Sequence, residues 1–236
     1  MKNILVWDLP VRLFHWILAA SFFGAFLIAN LVGDDSQLFP LHMLLGATMG
    51  FMVVLRAVWG FVGPRWSRFK SFVFGPGDIW TYFRKVLSGE GDRHTGHNPG
   101  SSLAIFAILA LVVAQVTTGL MMSTGSEAAE ELHEIFAWAF LATVVVHITG
   151  VVVHSIQHRE LLVMSMISGR KEGEEAEEIP STHPVVALVF LGLTAGWAGG
   201  LYANYDAATG EVRLPVVNTT LQVGEGEEHE HEHEEH

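Results

Sequence analysis

The sequence contains no cysteine. Disulfides, thiolate-held iron–sulfur clusters and covalent haem attachment through a Cys-x-x-Cys-His motif are therefore excluded. With thiolates absent, any redox centre is expected to be held by nitrogen or oxygen ligands. Charge is scarce as well: 16% of the 236 residues are charged, half are hydrophobic, and mean hydropathy is positive. A soluble domain of this length would need more charge to cover its surface. The net charge of −12 is largely local, because seven acidic residues lie between Glu225 and His236, leaving −5 for the rest.

Long apolar runs take the place of charge. Several run about 20 residues, enough to cross a hydrocarbon core of roughly 30 Å. Span one is expected from Leu13 to Val32, with Asp8 and Pro10 as cap and first-turn residues. Span two runs from Leu41 to Val62, span three from Ser101 to Met122, and span four from Leu132 to Ser155 with a helical continuation towards Ile167. A fifth covers Pro184 to Tyr202. The first run is read as a mature helix and not a signal peptide. It is too long for an h-region and holds a histidine and aromatics where a small-residue cleavage site would be.

Basic residues set the expected orientation. Lys2 and Arg12 precede or open span one; Arg65, Arg68, Lys70, Arg84, Lys85 and Arg93 fill the loop after span two; Arg159, Arg170 and Lys171 follow span four. The loops Gly33 to Phe39 and Ser123 to Glu131 contain no Lys or Arg. By the positive-inside rule the N-terminus is cytoplasmic, and five spans put the C-terminus on the outer side. Between spans two and three, Gly75-Pro76-Gly77-Asp78 breaks the chain. Ile79, Trp80, Phe83, Val86 and Leu87 then share one side of a short interfacial helix.

An ionisable group inside a bilayer is costly, which makes an intramembrane histidine a functional candidate. Four stand out: His15 in span one, His42 at the head of span two, and His133 and His147 in span four. Their depths match in two pairs, His15 with His147 on the inner side and His42 with His133 on the outer. His133 and His147 are 14 residues apart, nearly four turns, so they face one side of the helix about 21 Å apart along its axis. That suits two stacked haems, one in each leaflet. Gly46 and Gly50 continue the His42 face, while Ala19 and Gly150 lie one turn from His15 and His147; each would let a flat macrocycle approach, or serve ordinary helix packing. Arg56, 14 residues beyond His42, reaches inner-haem depth. It pairs with a haem propionate, lies beside a quinone head group, or snorkels to the cytoplasmic surface. His154 is too far from His133 to leave both haems in the hydrocarbon, so His154 and His158 are expected at the surface. Trp7 and Trp16 are expected as interface anchors and packing groups.

Several motifs occur in order: Val6-Trp7-Asp8-Leu9-Pro10 with Arg12 and His15-Trp16, then Gly96-His97-Asn98-Pro99, then His147 to His158 ending in Gly169-Arg170-Lys171. With these the sequence resembles the bacterial cytochrome b561 / nickel–iron hydrogenase cytochrome b family over residues 1 to 171. The resemblance implies a four-helix di-haem core with ligands from spans one, two and four, carried here by His15, His42, His133 and His147. The expected fold is an all-α membrane protein, a four-helix transmembrane di-haem bundle with a fifth C-terminal helix. Its divisions are the core at 1–171, a charged linker at 172–183, the fifth helix at 184–203, and an extracytoplasmic tail at 204–236 ending in a disordered His/Glu run.

Two histidines per iron leave no axial position for oxygen, which points to electron transfer. Two b-type haems at different depths would pass electrons between a quinone, bound from the membrane, and a redox partner on the outer side. Asp34, Asp35, Glu127, Glu130 and Glu131 make that side acidic, suited to steering a basic c-type cytochrome or another redox subunit. No nucleic-acid partner is expected. Oxidation of superoxide ranks second, since an anionic substrate favours a basic funnel that the outer loops lack. Metal handling through Glu228 to His233 ranks third. His94 and His97 are assigned no role beyond a contact on the quinone side.

Overall fold

The computed structural model describes residues 2–32, 36–123, 125–214 and 220–222. Asp34, Asp35 and the His/Glu run from Glu225 lie outside the described residues. Seven α-helices occur among the described residues: α1 (Leu9–Leu31), α2 (Phe39–Val62), α3 (Pro76–Leu87), α4 (Pro99–Met122), α5 (Glu127–His158), α6 (Leu162–Ser168) and α7 (Pro184–Ala203). Helices α1, α2, α4, α5 and α7 are long and apolar enough to cross a membrane. The five expected spans are these five helices, each extended at its start by up to five residues, apart from α7. Span four does not run on to Ile167. Arg159 adopts a left-handed φ of 52°, which ends α5, and α6 restarts at Leu162.

The chain divides into two compact units, and the long helices contribute segments to both. The first comprises Met1–His15, Val54–Leu111 and Trp138–Leu188. Here β1 (Lys2–Leu5) pairs antiparallel with β2 (Arg170–Gly173), Leu5 opposite Arg170. Ile4, Leu5, Val6 and Trp7 then bury against Trp66 and Ile179. Gly169 closes this junction. Its φ of +80° is left-handed, its carbonyl accepts the N–H groups of Val6 and Trp7, and a Cβ there would meet the Trp7 carbonyl oxygen at 2.7 Å. The segment expected as a charged linker takes part in the same structure. Ile179 donates its N–H to Leu5 O at 2.9 Å, and Glu178 Oε1 accepts the Leu5 N–H at 3.0 Å. A four-residue strand whose partner lies more than 160 residues away leaves no local hydropathy signal. Helix α3 has no buried residues and exposes Trp80, Phe83 and Leu87, as an interfacial helix does when its apolar side meets lipid.

Asp8 starts α1 as expected, its Oδ1 accepting the Val11 N–H at 2.9 Å. Its other oxygen accepts from Trp59 Nε1 at 2.9 Å and Ser67 Oγ at 2.7 Å. A fully buried carboxylate thereby joins α1, α2 and the loop after α2.

The second unit comprises Trp16–Val53, Val112–Ala137 and Val189–His236. Helix α7 lies against α2, with Trp197 stacked on Phe51 at 4.8 Å and its indole N–H directed at Ala47 O, 3.3 Å away. Beyond α7 the chain forms a small antiparallel sheet, β3 (Tyr205–Asp206), β4 (Glu211–Arg213) and β5 (Thr220–Gln222). Val212 from this sheet buries with Leu44 and Leu201. Part of the expected tail is thus ordered onto the helices by a few apolar side chains.

Candidate cofactor site

The second unit brings His42 and His133 together, their rings 6.0 Å apart between centroids and inclined at 65°. His42 Nδ1 lies 2.9 Å from the Ala25 carbonyl oxygen. A carbonyl can only accept, so Nδ1 carries the proton and Nε2 keeps its lone pair. His133 Nδ1 lies 2.9 Å from Thr118 Oγ1. The Thr118 hydroxyl is itself directed at Ala114 O, 2.9 Å away, so the threonine oxygen accepts from the histidine. Both imidazoles are therefore held by their Nδ1–H with Nε2 free, the arrangement in which metal-binding histidines are usually oriented. The centroid separation is also close to that of two imidazoles sharing one metal atom at roughly 2 Å from each. Gly119 of α4 faces His133, where an added Cβ would stand in ordinary contact with the ring at 3.6 Å. At Gly46 an added Cβ would meet open space, whereas at Gly50 it would meet Val116 at 2.9 Å; the second glycine serves packing.

In the first unit His15 and His147 are half-buried and within electrostatic range of each other. Gly150 again faces open space. Arg56 is buried at 4% exposure and does not snorkel; its guanidinium lies over the Phe69 ring at 5.0 Å. His97 sits between Trp7 and Phe72, each ring 4.6 Å away. Burial, with Arg56 and Lys171 nearby, pushes its pKa down to about 3, so the ring is neutral at neutral pH. His97 also lines a cavity of about 540 Å³ with Trp66, His94, Lys171 and Glu177. Lys171 is buried and donates to His94 O at 2.5 Å, and burial lowers its pKa.

His154 and His158 differ from expectation. His154 is buried, and the two rings lie 4.2 Å apart. The loop after α3 folds over this end of α5: Arg93 donates to His158 O at 2.7 Å, and Gln157 donates to Val86 O at 3.1 Å. Trp7 likewise is a buried packing residue, bonded through Nε1 to Ser165 Oγ at 3.1 Å, while Trp16 is exposed.

Residues 6–169 match the family model described as prokaryotic cytochrome b561. The chain belongs to the prokaryotic cytochrome b561 family. It is 24% identical over 220 residues to a protein of Rhizobium leguminosarum bv. viciae named "Probable Ni/Fe-hydrogenase B-type cytochrome subunit", covering 75% of this chain and 92% of that one. The same name is carried by a Rhodobacter capsulatus protein, 25% identical over 72% of this chain and 81% of its own. A hydrogenase 1 counterpart in Escherichia coli K12 is 25% identical over half of this chain and 59% of its own. No solved structure matches the chain significantly. Membership of this cytochrome b561 family implies b-type haem and electron transfer at a membrane. The paired imidazoles with free Nε2 atoms fit such a group. The match ends at residue 169, so α7 and the sheet beyond it lie outside the family region.

Sequence reasoning did not single out Ala25, Thr118 or Gln115, whose Nε2 donates to His133 O at 3.1 Å. The signal available was a cluster of polar residues, Gln115, Thr117 and Thr118, within an otherwise apolar span.

Proposed function

We propose that the protein is a di-haem b-type cytochrome of the bacterial inner membrane, passing electrons between the quinone pool and a redox partner on the outer side. His15 and His147 ligate the inner haem, His42 and His133 the outer, and Arg56 contributes to the inner site. The observation that carries this reading is the His42–His133 pair, two facing imidazoles whose Nδ1–H groups are both engaged and whose Nε2 atoms are free. Held by two histidines, each haem would supply one-electron transfer and not oxygen chemistry. The protein's own contribution is to orient the four rings and set the charge around each pair. The N-terminus is cytoplasmic in this reading, with the basic loops on the same side.

The relatives' names support a choice of outer partner. They favour a peripheral hydrogenase-like redox subunit over a free c-type cytochrome. The acidic start of α5, with Glu127, Glu130 and Glu131 all exposed, would steer a basic surface of either kind. A partner reaction rate unchanged by ionic strength would remove that steering role.

The test is haem stoichiometry in detergent-purified protein, by pyridine haemochromogen assay and reduced-minus-oxidised spectra. Two b-type haems per chain are expected. His15→Ala and His147→Ala should abolish one spectral component, and His42→Ala and His133→Ala the other. Loss of the same component from His15→Ala and His133→Ala would overturn the pairing. Reduction of a soluble quinone analogue by the reduced protein tests the membrane-side partner.

A further inference from the structure

The unit that holds the His15–His147 pair also holds a buried cation, Arg56, which shares its one carboxylate in range, Asp8, with a second guanidinium, Arg12. The Asp8 oxygens, however, are taken by the Val11 N–H, Trp59 Nε1 and Ser67 Oγ. Arg56 Nη1 has no hydrogen-bond partner among the described residues, although the side chain is buried. A second orphan lies close by: His97 Nε2 is buried and partnerless, and the His97 ring is within electrostatic range of Arg56, His147 and His15. Its packing between Trp7 and Phe72 fixes the ring, so this nitrogen is not free to turn towards solvent. Two guanidiniums against one carboxylate leave a buried positive charge in excess, and buried polar atoms without partners call for an acceptor.

We propose that Arg56 and His97 form a carboxylate cradle beside the His15–His147 pair, and that the carboxylate they take is a propionate of the haem held there. Both atoms can donate, Nη1 as part of a permanent cation and Nε2 as the N–H of a neutral imidazole. A carboxylate accepts from both and neutralises Arg56. A quinone head group would satisfy the hydrogen bonds but leave the cation unpaired. The Nε2 atoms of His154 and His158, also without partners among the described residues, lie in range of Arg93, His94 and Lys171 at the end of α5. This inference rests on His15 and His147 being haem ligands.

The test uses the full-length holoprotein and three variants: Arg56→Gln, Arg56→Lys and His97→Phe, the last preserving the ring between Trp7 and Phe72. Haem content, the midpoint potential of each component, and the propionate-bending bands in resonance Raman spectra are measured. With two haems retained, Arg56→Gln should lower the potential of the His15–His147 component, because losing a positive charge disfavours the reduced state. Arg56→Lys should restore most of that shift. His97→Phe should lower the same potential by less and move a propionate band, while the His42–His133 component stays unchanged. Loss of the inner haem alone in Arg56→Gln, with the His97→Phe shifts present, also supports the cradle. Wild-type potentials and bands in both Arg56→Gln and His97→Phe would overturn it. So would unchanged potentials with a raised KM for a quinone analogue, which would assign the two residues to a quinone. Wild-type protein lacking the His15–His147 component would instead remove the di-haem reading itself.

Discussion

Around His42 and His133 the ring partners are neutral: the Ala25 carbonyl, the Thr118 hydroxyl and, behind them, the amide of Gln115. The unit that holds His15 and His147 carries charged or titratable groups, Asp8, Arg56, His97 and Lys171, all buried at least in part, and His97 lies within electrostatic range of both histidines. The two pairs can therefore hold the same group and differ in what they do to it. Neutral hydrogen bonds fix ring orientation and leave the local charge unchanged. Fixed charges close to a redox centre move its potential, and in a poorly solvated site they do so strongly. Under the proposed function, the two haems are expected to differ in potential.

The largest expected effect breaks the charged half. Asp8→Ala removes the α1 cap, the acceptor of Trp59 and Ser67, and the carboxylate near Arg12 and Arg56. The cost expected for opening a buried charged network is about 3–5 kcal/mol. Thermal unfolding in detergent and the yield of folded protein would report it, and Asp8→Asn should recover part of the loss through the cap. Wild-type stability in Asp8→Ala would mean that the charged network does not hold the first unit together.

The neutral half should respond in its cofactor and less in its fold. Thr118→Val leaves the His133 Nδ1–H without its acceptor. Loss of such an orienting partner typically weakens binding by about 10–100-fold. Haem retention during purification should fall for the His42–His133 component alone, and Thr118→Ser should restore it. Equal loss from both components would show that the two sites are not separately built.

A smaller effect separates fold from site. Gly169→Ala forces a Cβ against the Trp7 carbonyl at a left-handed φ, a strain of about 1–3 kcal/mol. Melting temperature should fall while the spectra of both components keep their positions. The smallest effect expected is none: truncation after Gln222 removes the His/Glu run and should leave haem content unchanged. Haem loss on that truncation would give the tail a role in assembly.

The candidate ligands were legible in residue spacing. Histidine in an apolar run is conspicuous, and His15, His42, His133 and His147 are all visible on that ground. Arg56 was visible for the same reason, but its burial was not, because snorkelling and burial share one sequence pattern. His154 was misjudged as a surface group, since the loop that covers it comes from residues 86 to 94, far away in the chain. The small sheets were invisible for a related reason: strands of two to four residues carry too few side chains for a period to show.

Hydropathy and helical period by themselves determined the five spans, and they placed His133 and His147 on one face of a single helix. Both follow from backbone geometry that each segment carries locally. Tertiary structure alone decided which imidazole nitrogen is free, because Ala25 lies 17 residues from His42 and Thr118 lies 15 from His133 on another helix. It also decided that Arg56 Nη1 and His97 Nε2 are buried with no hydrogen-bond partner among the described residues. Burial is a property of what packs around a side chain, and no local pattern encodes it.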